Sequence, residues 1–121
     1  MPTSAKGRWG EAAARSFLEA RGYTILENNF RTRYGEIDLI VRESRTIIFV
    51  EVKTRERDTG AAEASVDVRK QRRILSAART YVQREPGAHY RFDVIVVIRA
   101  VGSASARIRH YKGAFDTDLD F

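Results

Sequence analysis

Two apolar, β-branched segments, EIDLIV at 36–41 and TIIFVEVK at 46–53, flank a short polar turn and constrain this chain more than any other feature. Such segments read as strands, and a two-residue Ser44-Arg45 loop joins them as an antiparallel hairpin. Other elements follow around it. Residues 7–21 read as a helix closed by Gly22, with Trp9, Gly10, Ala13, Ala14, Phe17, Leu18 and Ala20 on one side. Residues 23–30 are strand-like, and RTRYG (31–35) is a loop. The segment 54–64 has few large apolar groups and reads as an exposed, mobile loop. A second helix spans 66–84 and stops before Pro86. YRFDVIVVIRA (90–100) is the strand expected to be fully buried, GSAS a turn, ARIRHY a short last strand and the final residues a loose tail. The order α-β-β-β-α-β-β predicts antiparallel pairing across the short turns and one parallel pair across the helical crossover, so the sheet is mixed.

Charge inside the two best strands is what points to chemistry. Side chains alternate along a strand, so Glu51 and Lys53 share a side, roughly 7 Å apart. The register that sets Glu43 opposite Thr46 also sets Asp38 opposite Glu51, whereas a slip of one residue would send Asp38 to the other face. Neighbouring carboxylates on a half-buried surface repel and lose hydration unless a cation compensates them. A hard divalent cation, Mg²⁺ or Mn²⁺, suits oxygen ligands, and Lys53 is suited to hold a water or offset charge on a phosphate. Alternatively both acids lie at an exposed edge and pair with Arg or Lys. The combination of Asp38, Glu51 and Lys53 in adjacent apolar strands favours the metal site.

Three further groups bear on that site. Glu11 falls about 20° from Leu18 on the helical wheel, where it either leans over the sheet toward the acids or serves as a first-turn acid favoured by the helix dipole. Gln71 lies within the stripe of Val68, Ile74, Leu75, Ala78 and Val82, and its amide needs a partner: a metal-bound water, a phosphate oxygen or neighbouring backbone. Arg69, Lys70, Arg72 and Arg73 crowd the same helix and form either a solvated face or a nucleic-acid-binding phosphate track. Asp93 reads as structural, paired with an Arg. Trp9, Tyr23, Tyr34 and Phe92 read as packing residues, and His89 and His110 lack metal-ligand spacing.

Lys and Arg number 22 against 16 Asp and Glu, a formal charge of +6, which favours a polyanionic partner. No cysteine is present, which excludes disulfides, thiolate zinc sites and cysteine nucleophiles and fits a cytoplasmic protein. No apolar run approaches the roughly 20 residues that span a bilayer, and the N-terminus lacks the apolar stretch of a signal peptide. Neither a phosphate-binding glycine loop nor a dinucleotide fingerprint occurs, so no small-molecule cofactor is expected.

Gly10-Glu11, GEIDLI (35–40), FVEVKTR (49–55), KQRR (70–73) and RFDV (91–94) together resemble the YraN-like family over residues 7–115. That family is related to the Holliday-junction-resolvase branch of the PD-(D/E)XK nuclease superfamily. The resemblance implies an α/β fold with a restriction-endonuclease-like αβββαβ core, a central mixed β-sheet flanked by helices. It also implies that Asp38 and Glu51 are metal ligands with the Val52 carbonyl, that Lys53 is the catalytic lysine, and that Glu11 is the acid supplied by the first helix. Gln71 falls near a helical Gln of some superfamily members. The pattern departs at Ile37, where the signature has proline, and at Leu75, where the companion of that Gln is tyrosine. The resulting expectation is one domain over 1–121 acting as a Mg²⁺- or Mn²⁺-dependent endonuclease on DNA, with branched DNA among the candidate substrates, and compatible with a homodimer. Two other readings stay open: a non-catalytic nucleic-acid-binding module, and an adaptor whose basic helix meets an acidic partner.

Overall fold

The computed structural model describes residues 5–116. Helix α1 (Ala5–Ala20) is followed by strands β1 (Thr24–Arg31), β2 (Glu36–Glu43) and β3 (Thr46–Arg55). A one-turn 3-10 helix (Ala61–Ala64) and helix α2 (Val68–Val82) lead to strands β4 (His89–Ile98) and β5 (Arg107–Tyr111). The five strands form one sheet in sequence order. β3 and β4 pair in parallel, as the helical crossover between them requires, and the other neighbours are antiparallel. Among the described residues, no helix is long and apolar enough to cross a membrane.

Each helix covers one face of the sheet. Ala14 and Leu18 of α1 pack on Leu39, Val41, Ile48, Val50, Ile95 and Val97. Ile74, Ala77, Ala78 and Tyr81 of α2 pack on Ile40, Ile47, Phe49, Phe92, Val94 and Val96 on the opposite face. Gly22, at a left-handed φ of 89°, ends α1: its N–H and that of Tyr23 satisfy the carbonyls of Glu19 and Leu18. Asp67 caps α2 by accepting the Lys70 N–H at 2.8 Å. β4 is buried from Phe92 to Ile98, as its apolar run predicts.

The segment 54–64 carries more regular structure than the loop expected of it, although Glu56, Arg57, Thr59, Ala61 and Ala62 are exposed. β3 continues to Arg55, and charge compensates for the missing apolar area. Arg55 pairs with Glu63 at 2.9 Å, Thr59 donates to Glu63 at 2.8 Å, and Arg109 of β5 pairs with Asp58. The tail expected at the C-terminus lies mostly at 117–121, outside the described residues.

Candidate active site

The β2–β3 ladder runs from Glu43–Thr46 to Leu39–Val50, and the same register carries Asp38 to the position facing Glu51. At that position β2 rotates. In a regular strand residues two apart share a face, yet Ile37 packs on the α2 side and Leu39 on the α1 side. Asp38 sits at the turnover. Its Oδ2 accepts the Val52 N–H at 2.8 Å, a donor that would otherwise bond to the β2 backbone. On the other side of β2 the register brings Asn29 opposite Asp38, at a left-handed φ of 52°.

The strands therefore part where the acids gather. Burial, followed by the hydrogen bond and charge of Glu51, pushes the Asp38 carboxyl up to about 9; the Val52 N–H opposes this and Glu11 adds to it. Glu51 is only 5% exposed. Lys70 Nζ lies 2.6 Å from its Oε2, an ion pair in which the ammonium compensates the buried carboxylate. Burial lowers the affinity of Lys70 for its proton, but Glu51 and Asp38 outweigh it and hold the ammonium above its usual range. Burial pulls the Lys53 ammonium down, and its Nζ donates to the Ser65 carbonyl at 2.6 Å. Glu51, Val52, Lys53 and Lys70 line an open cleft of about 490 Å³ together with Ser65 and Asp67.

Glu11 is 4% exposed, and its carboxyl is raised by burial in spite of a hydrogen bond to Asn29 and the charge of Arg15. It adds to the negative field at Asp38 from α1. Among the described residues, however, no three His, Asp or Glu side chains converge to hold a metal by themselves. The oxygen donors at hand are the Asp38 and Glu51 carboxylates, with the Val52 carbonyl on the strand edge that already faces Asp38. This all-oxygen set, with a cation already drawn to Glu51 Oε2 in the form of the Lys70 ammonium, has the donor chemistry of a hard divalent cation.

Of the basic helix residues, Arg69 and Arg72 are exposed, and Arg73 approaches Glu36 at 3.6 Å. Lys70 is also exposed along its length, but its ammonium reaches Glu51. That placement was readable in the helical spacing, since 70, 74, 77 and 81 form one stripe and the last three are buried. Gln71 takes the backbone alternative: Nε2 donates to the Val66 carbonyl at 2.7 Å. Asp93 is structural and does pair with an Arg, bonding Arg91 at 2.8 and 2.9 Å. Its further partner is His110, at 2.7 Å, a contact that sequence spacing does not reveal because it arises only when β5 docks on β4. Trp9, Tyr23 and Phe92 pack as expected, but Tyr34 does not: it is 69% exposed.

A five-stranded mixed sheet between two helices, with acids gathered where β2 and β3 part, defines an α/β protein consistent with a restriction-endonuclease-like core. The model of the "Uncharacterised protein family UPF0102" matches residues 10–97. The chain belongs to this YraN-like UPF0102 family. It is 44% identical over 115 residues to a UPF0102 protein of Syntrophotalea carbinolica, covering 93% of this chain and 92% of that one. A UPF0102 protein of Geotalea uraniireducens is 43% identical over 113 residues, covering 91% and 88%. One from Persephonella marina is 40% identical over 116 residues, covering 93% and 95%.

Proposed function

We propose that this protein is a divalent-metal-dependent endonuclease that hydrolyses DNA phosphodiester bonds, with irregular or branched DNA as the preferred form. The observation that carries this reading is the Asp38–Glu51 pair, two crowded carboxyls, partly and fully buried, beside a cleft lined by Lys53 and Lys70. The PD-(D/E)XK pattern supports it, because Asp38 and Glu51-Val52-Lys53 stand in the order that pattern requires. Asp38, Glu51 and the Val52 carbonyl would hold Mg²⁺ or Mn²⁺, with Glu11 adding negative charge behind them. Such a cation supplies a more acidic water and offsets charge on the scissile phosphate.

The chain's own groups would do the rest. Asp38 and Glu51 would both serve as ligands in their ionised forms. Lys70, which pairs with Glu51, stands at the cleft wall where it would neutralise phosphate charge. Lys53 is anchored by Ser65 at the cleft wall, where its ammonium can orient a water or stabilise a developing oxyanion. A cytoplasmic setting suits a cysteine-free protein acting on DNA.

One observation favours a second reading. With Asp38 protonated and Lys70 on Glu51, the charges balance without a metal, as a non-catalytic nucleic-acid-binding module would need. Asp38→Asn separates the two. Asn can still accept the Val52 N–H and donate to Glu51, so metal-free stability at neutral pH should stay within about 1 kcal/mol of wild type. Mg²⁺ or Mn²⁺ should raise the wild-type melting temperature and leave that of the variant unchanged. Cleavage of linear, branched and single-stranded DNA should require metal and fall by orders of magnitude in the variant. Wild type that binds DNA but shows neither metal-dependent stabilisation nor cleavage is the binding module.

A further inference from the structure

The β1–β2 turn presents a group that the carboxylate site does not use. Tyr34 is 69% exposed, although an aromatic ring gains more than most side chains from burial. The turn that holds it is well fixed. The Thr32 N–H donates to the Gly35 carbonyl at 2.9 Å, and the Tyr34 N–H donates to Thr32 Oγ1 at 3.4 Å. Gly35 is buried against α2 so closely that a Cβ would overlap the Arg73 carbonyl. A rigid support therefore holds the ring in water.

The surroundings say what could cover it. The turn lines a cleft of about 430 Å³ with Arg31, Arg33 and Arg73, against Glu36 as the one acid. Glu36 approaches Arg31 at 3.4 Å and Arg73 at 3.6 Å, so the lining keeps a surplus of two positive charges. The Arg33 guanidinium lies over the Tyr34 ring, 5.4 Å from its centroid. A flat ring beside an Arg plane, in a cationic cleft, matches a nucleobase with its flanking phosphates. Bases stacked inside a duplex are out of reach of such a ring, whereas an unpaired base is not. Tyr34 is four residues before Asp38, in the turn that leads into β2, so their backbones are at most about 14 Å apart, within the span of a few nucleotides.

We propose that this turn is a second nucleic-acid contact site, in which Tyr34 stacks on an unpaired base while Arg31, Arg33 and Arg73 hold the adjoining phosphates. The proposal rests on the nucleic-acid reading above, and it places a preference for irregular strands in the turn instead of the carboxylate site.

The test uses the full chain without metal, measuring fluorescence anisotropy with a labelled oligothymidylate and an abasic oligomer of the same length. Both carry the same phosphates, and only the first has bases to stack. Wild type should bind the oligothymidylate on the order of tenfold more tightly. Tyr34→Ala should bind both as wild type binds the abasic strand, and Tyr34→Phe should keep the preference. Equal binding of the two strands by wild type, or a preference retained in Tyr34→Ala, overturns the proposal. Base preference without metal-dependent cleavage supports this site while removing the nuclease reading; cleavage without base preference does the reverse.

Discussion

Asp93 on β4 and Asp38 on β2, one buried and the other partly so, show how surroundings decide what a carboxylate is for. Asp93 is 1% exposed, and Arg91, His110 and the Gly113 N–H satisfy both its oxygens. Burial pushes its carboxyl up, but these partners outweigh burial and hold it below the usual carboxylate range. Asp38 has a single backbone donor, and its nearest charged neighbours are acids, so its carboxyl moves the other way. Asp93 is thus a stabilising ion-pair centre, and Asp38 is a site that awaits compensation. Asp93→Asn should cost about 3 kcal/mol in urea unfolding at neutral pH, because it removes the buried charge that the half-buried Arg91 guanidinium and His110 are arranged around. Since the folded-state value is depressed, the Asp93 contribution is present above the ordinary value of 3.8 and is lost as pH falls through the lower folded value. The gap between wild type and variant should therefore narrow on acidification. A gap that stays constant, or widens, would contradict the assignment.

At the scale of elements, the sequence pattern carries the hairpin and the crossover but not the places where strands bend. The Ser44-Arg45 loop sets Glu43 on Thr46, and that register holds to Leu39–Val50. One helix between apolar strands makes β3 and β4 parallel, and this too was legible. The rotation of β2 was not, because period-two alternation puts Ile37 and Leu39 on one face whereas helix packing pulls them to opposite faces. Tyr34 was misread for a related reason: composition favours burial of an aromatic, while the turn leaves it no core to enter. The clamp behind that misreading can be tested. Gly35→Ala forces the turn or α2 to shift, since the obstructing atom is the Arg73 backbone carbonyl and not a mobile side-chain end. Such overpacking should cost about 2 kcal/mol, read as a lower urea midpoint with unchanged slope. A loss within about 0.5 kcal/mol would mean that the turn is not clamped.

At the scale of the whole molecule, the formal charge of +6 matters through where it is free to act. Charge alone favours a polyanion without saying which cations meet it, and the structure divides the basic run of α2 into two kinds. Arg69, Lys70 and Arg72 are all exposed on the helix, but the Lys70 ammonium is engaged by Glu51. Each cation that neutralises a phosphate releases condensed counterions, so the slope of log affinity against log salt counts such cations. Arg69→Ala and Arg72→Ala should each lower the magnitude of that slope by roughly 0.7–0.9 in metal-free protein. Lys70→Ala should change it little, since an ammonium engaged by Glu51 makes no phosphate contact of its own. Its affinity should nevertheless drop at every salt concentration, because removing Lys70 leaves the Glu51 charge uncompensated beside the cleft. The pair of readouts is what discriminates: a lowered slope marks a phosphate contact, and lowered affinity at constant slope marks a charge balanced within the protein. If Lys70→Ala lowers the slope as much as Arg72→Ala, then Lys70 leaves Glu51 on binding DNA even without metal, and the inward pairing is no part of the bound state.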